Sequence, residues 1–526
     1  MARARSPTAF LVTLLLLGGA LAGCIGQGEA PTTPPAGDTA AEAPLDWAAR
    51  ALPYGDGHDH WDPAHHQNLS TPNFQVLGWD PMITDLKGRT AGGHLCGDAA
   101  TTKEGRRLAV SHSFTTDVAF VVVDVTDPTM PQTVGEYILE NVHVYDVAMT
   151  LDGLHVVVGA NSDTEGPDNP PAVPLNLTKG LLRVQPKFRD ACTGETRAVG
   201  PEATIPLAPG AILVGIKDPA NPTFEDFQPT PVLGPHSVST AEVDGKQWAL
   251  ASITNLQHSG SYFSFYEVTN TPLGPKLVLL TTYQAPPPPD GAVPVINGHV
   301  DGTIQKHPLT GQILAYLANW DAGMLVLDVT NPRTPMLLDS WTDFEGGLGY
   351  LAGDDRGAIH GTLPIEGTWG GRHYTFAGQE LVSRPKARPT GWIHVIDTTD
   401  PKNIEPVGRW TLPVDVEWDS ALVFSTHYFD LVNRTLFVSM YHGGVWAVDV
   451  SNESDFANLR TIGVFLPDRV SPNPPGKDGA GDWAPTVLDV LPFPDGTLTI
   501  FDSLSGVYTV RFDETRPAPA PEPWAG

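Results

Sequence analysis

The feature that most constrains the fold is a short motif that recurs along the chain. Each copy has an apolar run, a turn rich in Asp, Asn or Pro, and a second short run, which together predict two antiparallel strands joined by a tight turn. The copies cover residues 119–137, 211–227, 323–341, 392–410 and 445–465, with weaker copies at 262–283 and 507–512. A unit repeated in this way indicates a repeat architecture that packs into one domain.

Each repeat can be divided into four strands, A to D. In the first repeat these strands cover residues 94–100, 107–113, 119–125 and 132–139. The last repeat lacks a strand D, whereas an isolated segment that resembles strand D, residues 74–78, lies near the N-terminus. The sequence therefore predicts an all-β fold, a seven-bladed β-propeller of four-stranded antiparallel blades, closed by an N-terminal strand that completes the last blade.

The regions around the repeats predict an exported protein. Arg3 and Arg5 precede the apolar run 9–21, as in a signal peptide, and the sequence Leu-Ala-Gly-Cys that ends at Cys24 resembles a prokaryotic lipobox. That resemblance implies a lipid on Cys24 and an extracytoplasmic protein anchored to the membrane; the alternative is a secretory signal with an accidental cysteine. The predicted plan is a signal peptide at 1–23, a lipidated Cys and flexible tether at 24–57, a His-rich segment at 58–72, the propeller at 73–514 with an insertion loop at 163–210, and a disordered Pro-rich tail at 515–526.

Charge and cysteine content restrict the partners and the covalent links. The formal net charge of −29 argues against a nucleic acid as partner. We expect a monomer that binds a small molecule or a surface partner. Beyond Cys24 the chain has only Cys96 and Cys192, which could form a disulfide in an extracytoplasmic protein, although the sequence does not decide whether they do.

Two segments resemble a known repeat. LVLDVTNP at Leu325 to Pro332 and VVVDVTDP at Val121 to Pro128 are similar to the repeats of LVIVD-repeat proteins, which are predicted propellers of prokaryotic surfaces. The resemblance covers about residues 74–512. It implies the architecture and a cell-surface location, and says almost nothing about activity.

Histidine begins strand A in six of the seven repeats: His94, His143, His236, His299, His360 and His427. Strand A lines the central channel of a propeller, so six imidazoles would face one axis. Because neutral imidazole is a common ligand of copper and zinc, we predict that three or four of them bind one of these metals. In the alternative interpretation each His only hydrogen-bonds channel water or a neighbouring blade, and was inherited by repeat duplication.

Further polar residues are predicted near the same mouth. A second ring at the ends of strand B comprises His112, His258, Asp321, Gln379, His442 and Asp502. Within strand A, Asp98, Asp146, Asp301 and Asp430 could orient the metal ligands.

A weaker resemblance bears on activity. Residues His427 to Ser451 are similar to a blade of selenium-binding-protein-like methanethiol oxidases, whose channel histidines are associated with copper and with oxidation of a small thiol. The likeness carries over to His427 and His442; the tandem His and the Cys-rich segment of that family are absent.

The sequence thus predicts a membrane-anchored propeller with a His-lined channel that binds a transition metal and binds or acts on a small ligand. Two alternatives stay open: a surface scaffold for a protein or glycan, with a structural His ring, and a copper-dependent small-thiol oxidoreductase. Whether the protein is an enzyme is open, and no catalytic residue is assigned.

Overall fold

Every repeat forms a sheet in the computed structural model of this chain. The structure describes residues 70–80, 82, 94–113, 119–139, 143–161, 181–184, 187–189, 196–198, 203–206, 209–230, 234–253, 261–286, 301–320, 322–343, 357–381, 391–413, 424–467, 486–503 and 506–516. Their strands form seven antiparallel blades around a central channel. The predicted signal peptide and tether, and most of the His-rich segment and of the tail, lie outside these residues.

The strands follow the repeats in chain order. They are β1 (Phe74–Asp80); β2 (His94–Thr101), β3 (Arg107–Ser113), β4 (Phe120–Asp124) and β5 (Gln132–Tyr137) of blade 1; β6 (His143–Met149) and β7 (His155–Asn161) of blade 2; β8 (Leu181–Val184), β9 (Lys187–Arg189), β10 (Thr196–Ala198) and β11 (Ala203–Pro206) of the insertion; β12 (Gly210–Gly215) and β13 (Thr223–Pro229), which complete blade 2; β14 (Pro235–Val243), β15 (Lys246–Ile253), β16 (Tyr262–Thr271) and β17 (Gly274–Gln284) of blade 3; β18 (Gly302–Lys306), β19 (Ile313–Ala318), β20 (Met324–Asp328) and β21 (Met336–Trp341) of blade 4; β22 (Ile359–Pro364), β23 (Tyr374–Gln379), β24 (Ile393–Asp397) and β25 (Glu405–Trp410) of blade 5; β26 (Phe429–Val432), β27 (Thr435–Ser439), β28 (Val445–Asp449) and β29 (Arg460–Phe465) of blade 6; and β30 (Val487–Pro492), β31 (Thr497–Asp502) and β32 (Gly506–Phe512) of blade 7.

The N-terminal strand closes the ring, as predicted. β1 pairs antiparallel with β32, from Phe74 opposite Phe512 to Asp80 opposite Val507, and gives blade 7 its fourth strand. Phe74 is fully buried, and its ring centroid lies 4.8 Å from that of Phe512 and 6.2 Å from that of Phe465 in blade 6. The strand therefore joins the two ends of the chain and also packs on the preceding blade.

The apolar runs of the motif are buried on both faces. Along β4, Phe120 and Val122 pack with Val156 and other residues of blade 2, while Val121 and Val123 pack in a different cluster with Phe501 of blade 7. Alternate side chains of one strand thus contact opposite neighbours. This explains why the third strand of each repeat is continuously apolar rather than alternating with polar residues.

The turn residues of the motif set the contact between blades. The Asp127 carboxylate accepts a hydrogen bond from the Thr129 amide at 2.9 Å, which stabilises the turn after β4. The turn of one blade then lies against the fourth strand of the preceding blade. A Cβ atom at Gly135 would lie 1.9 Å from the Pro219 carbonyl oxygen of the next turn, so only glycine allows this approach.

The insertion between β7 and β12 contains strands. Its described parts form two antiparallel pairs, β8 with β11 and β9 with β10. β9 also pairs with β5, with Lys187 opposite Glu136, so part of the insertion continues blade 1 beyond its outermost strand. None of the helical structure among the described residues is long and apolar enough to cross a membrane.

Candidate metal centre at the channel mouth

The beginnings of the first strands and the ends of the second strands share one end of the channel. In blade 2, His143 pairs with Asn161 at this end, and Met149 pairs with Val156 at the other. We call this end the mouth. The backbones of His94 and His143 lie in their strands, but their side chains are not described, and His258, His299 and Asp321 lie outside the described residues.

Three buried side chains from blades 5 and 6 meet at the mouth. His360, Glu380 and His427 each offer a ligand atom, and these atoms lie within 4.8 Å of one another. The Nε2 atom of His360 is 3.4 Å from Oε2 of Glu380, and the Nε2 atom of His427 is 3.9 Å from Oε1 of the same carboxylate. Within the described part of the chain, this is the group that could hold a metal ion. Two of its members are predicted ligands.

Irregular backbone positions bring these side chains together. In blade 5 the ladder passes from Ile359 opposite Gln379 to Gly361 opposite Gly378, so His360 occupies a β-bulge. Such a bulge changes the direction of a side chain relative to the regular alternation. Glu380 follows the last residue of β23, and its amide donates to the Ala358 carbonyl oxygen at 2.9 Å.

Burial keeps His427 in its neutral form, and a hydrogen bond fixes its tautomer. Its Nδ1 atom lies 2.9 Å from the Leu488 carbonyl oxygen in blade 7, and because a carbonyl only accepts, Nδ1 carries the proton. The lone pair is then on Nε2, which faces Glu380. Burial, and secondarily the neighbouring His360, lower the pKa of His427 to about 4. Burial raises the pKa of Glu380. A neutral imidazole with its lone pair toward a carboxylate is the form that binds metals.

Aromatic rings enclose the three side chains. The Trp320 ring lies edge-on to His360 with centroids 6.0 Å apart, and the Tyr441 ring is edge-on to His427 at 5.3 Å. Both aromatic residues have positive φ, 47° and 49°, a conformation that is costly for a non-glycine residue. The Tyr441 hydroxyl donates a hydrogen bond to Oε1 of Glu380. These contacts fix the carboxylate and limit access of water.

The other described histidines of the predicted rings have different contacts. His236 stacks on Tyr145 with centroids 4.8 Å apart. His112 places Nδ1 3.1 Å from the Cys96 carbonyl oxygen, and His442 packs near Phe424, with ring centroids 6.4 Å apart. The structure therefore groups His360 and His427 with Glu380, but not with these three residues.

Two polar residues of the second ring form hydrogen bonds with neighbouring residues. Gln379 donates to the Asp343 carboxylate at 2.9 Å, and the carboxylate of Asp502 accepts from the Thr486 amide at 2.6 Å. Glu380, the neighbour of Gln379, is the ligand candidate that the sequence interpretation missed. Glu380 follows the second strand of blade 5 directly, one residue beyond the predicted Gln379. This position is the sequence feature that could have identified it.

The aspartates of the first strands join neighbouring blades. Asp98 accepts from the Met149 amide at 2.7 Å, Asp146 from the Val238 amide at 2.9 Å, and Asp489 from the Gly97 amide at 3.2 Å. In each pair the donor lies in the next blade of the ring. These contacts give the aspartates a structural role that the sequence interpretation did not foresee.

The same carboxylates line a cavity further along the channel. It has a volume of about 330 Å³ and is lined by Asp98, Asp146, Asp301, Asp430 and Asp489 among others. Burial raises the pKa of Asp98 to about 6 and those of Asp301 and Asp430 to about 7 each. These carboxyl groups are therefore only partly ionised at neutral pH.

Cys96 lies beside one of the candidate ligands, His427. It is a buried free thiol, and its Sγ atom is 3.8 Å from Nδ1 and 4.0 Å from Nε2 of His427. Cys192 lies outside the described residues, so the disulfide between the two stays a prediction.

Fold and site together define a class: a seven-bladed β-propeller with a His- and carboxylate-lined mouth. The propeller carries LVIVD repeats, since the family model described as "LVIVD repeat" matches residues 115–138 and 314–343. Comparison with curated proteins finds no match.

Solved structures include similar propellers. The WD40 propeller domain of Doa1 aligns with a TM-score of 0.42 at 10% identity, over 86% of this chain and 99% of that one. Saccharomyces cerevisiae Sqt1 aligns with a TM-score of 0.42 at 9% identity, over 80% of this chain and 96% of that one.

Proposed function

We propose that this protein is an extracytoplasmic, membrane-anchored propeller whose channel mouth binds one transition-metal ion, copper or zinc, which in turn binds or acts on a small ligand. The observation that carries the proposal is the convergence of His360, Glu380 and His427, which bring three ligand atoms within 4.8 Å of one another. Two imidazoles and a carboxylate are a common donor set for zinc, and imidazole also suits copper.

The spacing of the ligand atoms suits a single ion. Two ligands about 2.1 Å from a tetrahedral metal lie about 3.4 Å apart. The distance between His360 Nε2 and Glu380 Oε2 is 3.4 Å, and that between His427 Nε2 and Glu380 Oε1 is 3.9 Å. All three ligand atoms lie within 4.8 Å of one another, so side-chain shifts on the order of 1 Å would bring them to this spacing.

The number of ligands favours a site that is open to a further group. Three protein ligands leave one position of a tetrahedral ion for water or a small molecule, as in catalytic zinc sites. The surrounding aromatic residues Trp320, Tyr428 and Tyr441 would give a bound molecule an apolar environment. Binding of a small ligand at the metal is thus part of the proposal.

The test is elemental analysis of the purified, untagged protein after mild chelation. We expect about one equivalent of copper or zinc. Replacing both histidines in a His360→Ala/His427→Ala variant should abolish it. His155→Ala is the matched control, because His155 begins β7 at the end of the channel opposite the mouth, and it should retain the metal. Absence of stoichiometric metal from the wild-type protein would favour a surface scaffold instead.

The membrane anchor is tested separately. The sequence at Cys24 resembles a lipobox, and lipid on its sulfur would hold the propeller at the membrane surface. In the native host, Cys24→Ser should move the protein from the membrane fraction to the soluble fraction. Retention of this variant in the membrane fraction would contradict lipid anchoring through Cys24.

A further inference from the structure

We propose that Asn452 of blade 6 is an N-glycosylation site, where the side-chain amide receives a sugar chain from a lipid-linked sugar phosphate. The inference rests on one part of the proposed function, the extracytoplasmic location, and does not depend on the metal. Residues 452–454 read Asn-Glu-Ser, which is the acceptor pattern Asn-x-Ser/Thr with x other than Pro. Because this pattern is short, its structural context decides whether it can act as an acceptor.

The acceptor pattern occupies a turn that recurs in the repeats. The carbonyl oxygen of Asn452 accepts a hydrogen bond from the Asp455 amide at 3.0 Å, which closes the turn after β28. In the turn after β4, the Asp127 carbonyl oxygen accepts from the Met130 amide at 3.0 Å. The turns after β12, β20 and β24 have the same bond, from Asn221 to Asp218, from Thr334 to Asn331 and from Asn403 to Asp400. Asn452 therefore occupies the first position of a turn that five blades share.

The second position of this turn distinguishes blade 6 from the other four blades. It is Glu453 in blade 6, and in the others it is proline, namely Pro128, Pro219, Pro332 and Pro401. Proline after the Asn excludes sugar transfer, so Asn331 of blade 4 is not an acceptor. In blade 6 the proline is replaced, and Ser454 supplies a hydroxyl two residues after Asn452. Of these five turns, the one in blade 6 alone has the acceptor pattern.

The side chains of this turn present the Asn452 amide to solvent. Asn452 and Ser454 are both exposed, and the Ser454 hydroxyl donates a hydrogen bond to Oδ1 of Asn452 at 2.7 Å. Within the described residues this bond engages Oδ1 and leaves Nδ2 without a partner. Glu453 turns away toward blade 5, where a Cβ atom at Gly370 would lie 3.1 Å from its carboxyl carbon. The amide and the hydroxyl of the acceptor pattern thus lie together on the surface.

A second acceptor pattern of blade 6 lacks this geometry. Asn433 lies between β26 and β27 with a φ of 56°, and its pattern ends at Thr435. Thr435 begins β27, pairs with Asp449 in the ladder and is only 4% exposed. Its side chain is therefore held in the folded sheet, so Asn452 is the better acceptor of the two. The patterns at Asn68 and Asn176 lie outside the described residues.

The turn lies at the end of blade 6 opposite the mouth. β28 begins at Val445, which pairs with Ser439 at the end of β27. Because the second strands end at the mouth, the third strands begin there and run to the other end of the channel. A sugar chain on Asn452 would therefore leave the candidate metal centre uncovered.

The transfer is a substitution at the first carbon, C1, of the sugar chain. An N–H bond of Nδ2 breaks, a bond between Nδ2 and C1 forms, and the bond between C1 and the phosphate oxygen of the lipid breaks. The lipid phosphate leaves with the electron pair of that bond, and the amide proton passes to a base. Nothing is oxidised or reduced, and the product is a glycosylated amide.

The test is mass spectrometry of peptides from the protein purified from its native host. We expect the peptide that contains Asn452 to carry an added sugar mass. Glu453→Pro restores the residue of the other four turns and should abolish this mass, whereas the matched control Glu453→Gln should retain it. Ser454→Ala should also abolish it, and Ser454→Thr should retain it. Each pair changes the same position, so the comparison separates the acceptor pattern from effects on folding.

The outcomes separate this modification from the proposed function. An unmodified Asn452 peptide in protein from the membrane fraction would overturn glycosylation and leave the extracytoplasmic location intact. Protein found in the cytoplasm with residues 1–23 retained would overturn both. A sugar mass on this peptide that persists in Glu453→Pro would overturn the assignment to Asn452. The first measurement is made on the wild-type protein, so it does not depend on the folding of a variant.

Discussion

Tyr441 of blade 6 donates a hydrogen bond to the Glu380 carboxylate of blade 5. The bond engages Oε1 of Glu380, while Oε2 faces Nε2 of His360 at 3.4 Å. The protein thus holds the carboxylate through Oε1, while Oε2 lies close to the candidate ligand His360. Such outer contacts orient metal ligands and contribute to affinity.

Loss of the Tyr441 hydroxyl should weaken metal binding without unfolding the protein. In Tyr441→Phe the ring remains, but Glu380 loses the donor that fixes it, so we expect metal affinity to fall about 10- to 100-fold. Tyr316→Phe is the control, since that buried hydroxyl has no hydrogen-bond partner in the described structure. Isothermal titration with zinc measures both variants. Equal affinities would show that Tyr441 does not position the carboxylate.

The two ring nitrogens of His427 should be distinguishable by ¹⁵N NMR of the metal-free protein. The contact with the Leu488 carbonyl predicts a proton on Nδ1 and a bare Nε2. His373 provides the opposite case, because its Nε2 lies 3.1 Å from the Ile365 carbonyl oxygen and should carry the proton. If His427 has its proton on Nε2, its lone pair does not face Glu380, and the proposed geometry is wrong.

The closing strand should contribute strongly to stability. Phe74 is fully buried and packs on Phe512 and Phe465, so Phe74→Ala should cost about 3–5 kcal/mol of unfolding free energy. Leu273 is 90% exposed, and Leu273→Ala should change stability by less than about 0.5 kcal/mol. Denaturant unfolding gives both values. A similar small effect in the two variants would mean that β1 does not hold the ring closed.

The channel aspartates Asp301 and Asp430 predict that stability falls as the pH rises. The pKa of Asp301 and that of Asp430 are each about 7 in the folded protein, and about 3.9 is usual in unfolded chains. Between these values the folded state binds more protons than the unfolded state, so the free energy of unfolding decreases with pH. Each group contributes at most about 1.4 kcal/mol per pH unit, and the loss ends near pH 7.

Asparagine variants test the source of this slope. Asp301→Asn and Asp430→Asn keep a side-chain oxygen acceptor and should each reduce the fall in stability between pH 5 and pH 8. Asp127→Asn is the control, because Thr129 lowers the pKa of that exposed carboxyl, which is therefore ionised throughout this range. Thermal or denaturant unfolding at several pH values measures the slope. If neither Asp301→Asn nor Asp430→Asn changes the dependence of stability on pH, these two carboxyl groups are not its origin.

Local patterns made the propeller predictable. The apolar runs of β4, β20 and β24, the Asp-Pro turns and the unpaired segment near Phe74 are features of contiguous residues. The segment near Phe74 predicts a strand without a partner, and the last repeat predicts a sheet without its fourth strand. Pairing the two satisfies both. The blade boundaries and the closure could therefore be derived without any long-range information.

The candidate site was only partly predictable. His360 and His427 were selected because they begin a repeat, but Glu380 does not occupy a repeated position. The bulges at His360 and Cys96 cannot be read from the alternation of residues, because one extra residue in a strand reverses the face that follows. Four aspartates were expected to orient metal ligands, yet two of them, Asp98 and Asp146, accept hydrogen bonds from amides of the neighbouring blade.

The sequence by itself determined the number of blades, the order of their strands and the way the ring closes, since hydrophobic pattern and turn chemistry act over a few residues. Tertiary structure decided which side chains meet at the mouth. Cys96, Glu380 and His427 are far apart in the chain and belong to three blades. Their approach depends on the packing angle between blades and on local bulges, and both are set by contacts that no single repeat contains.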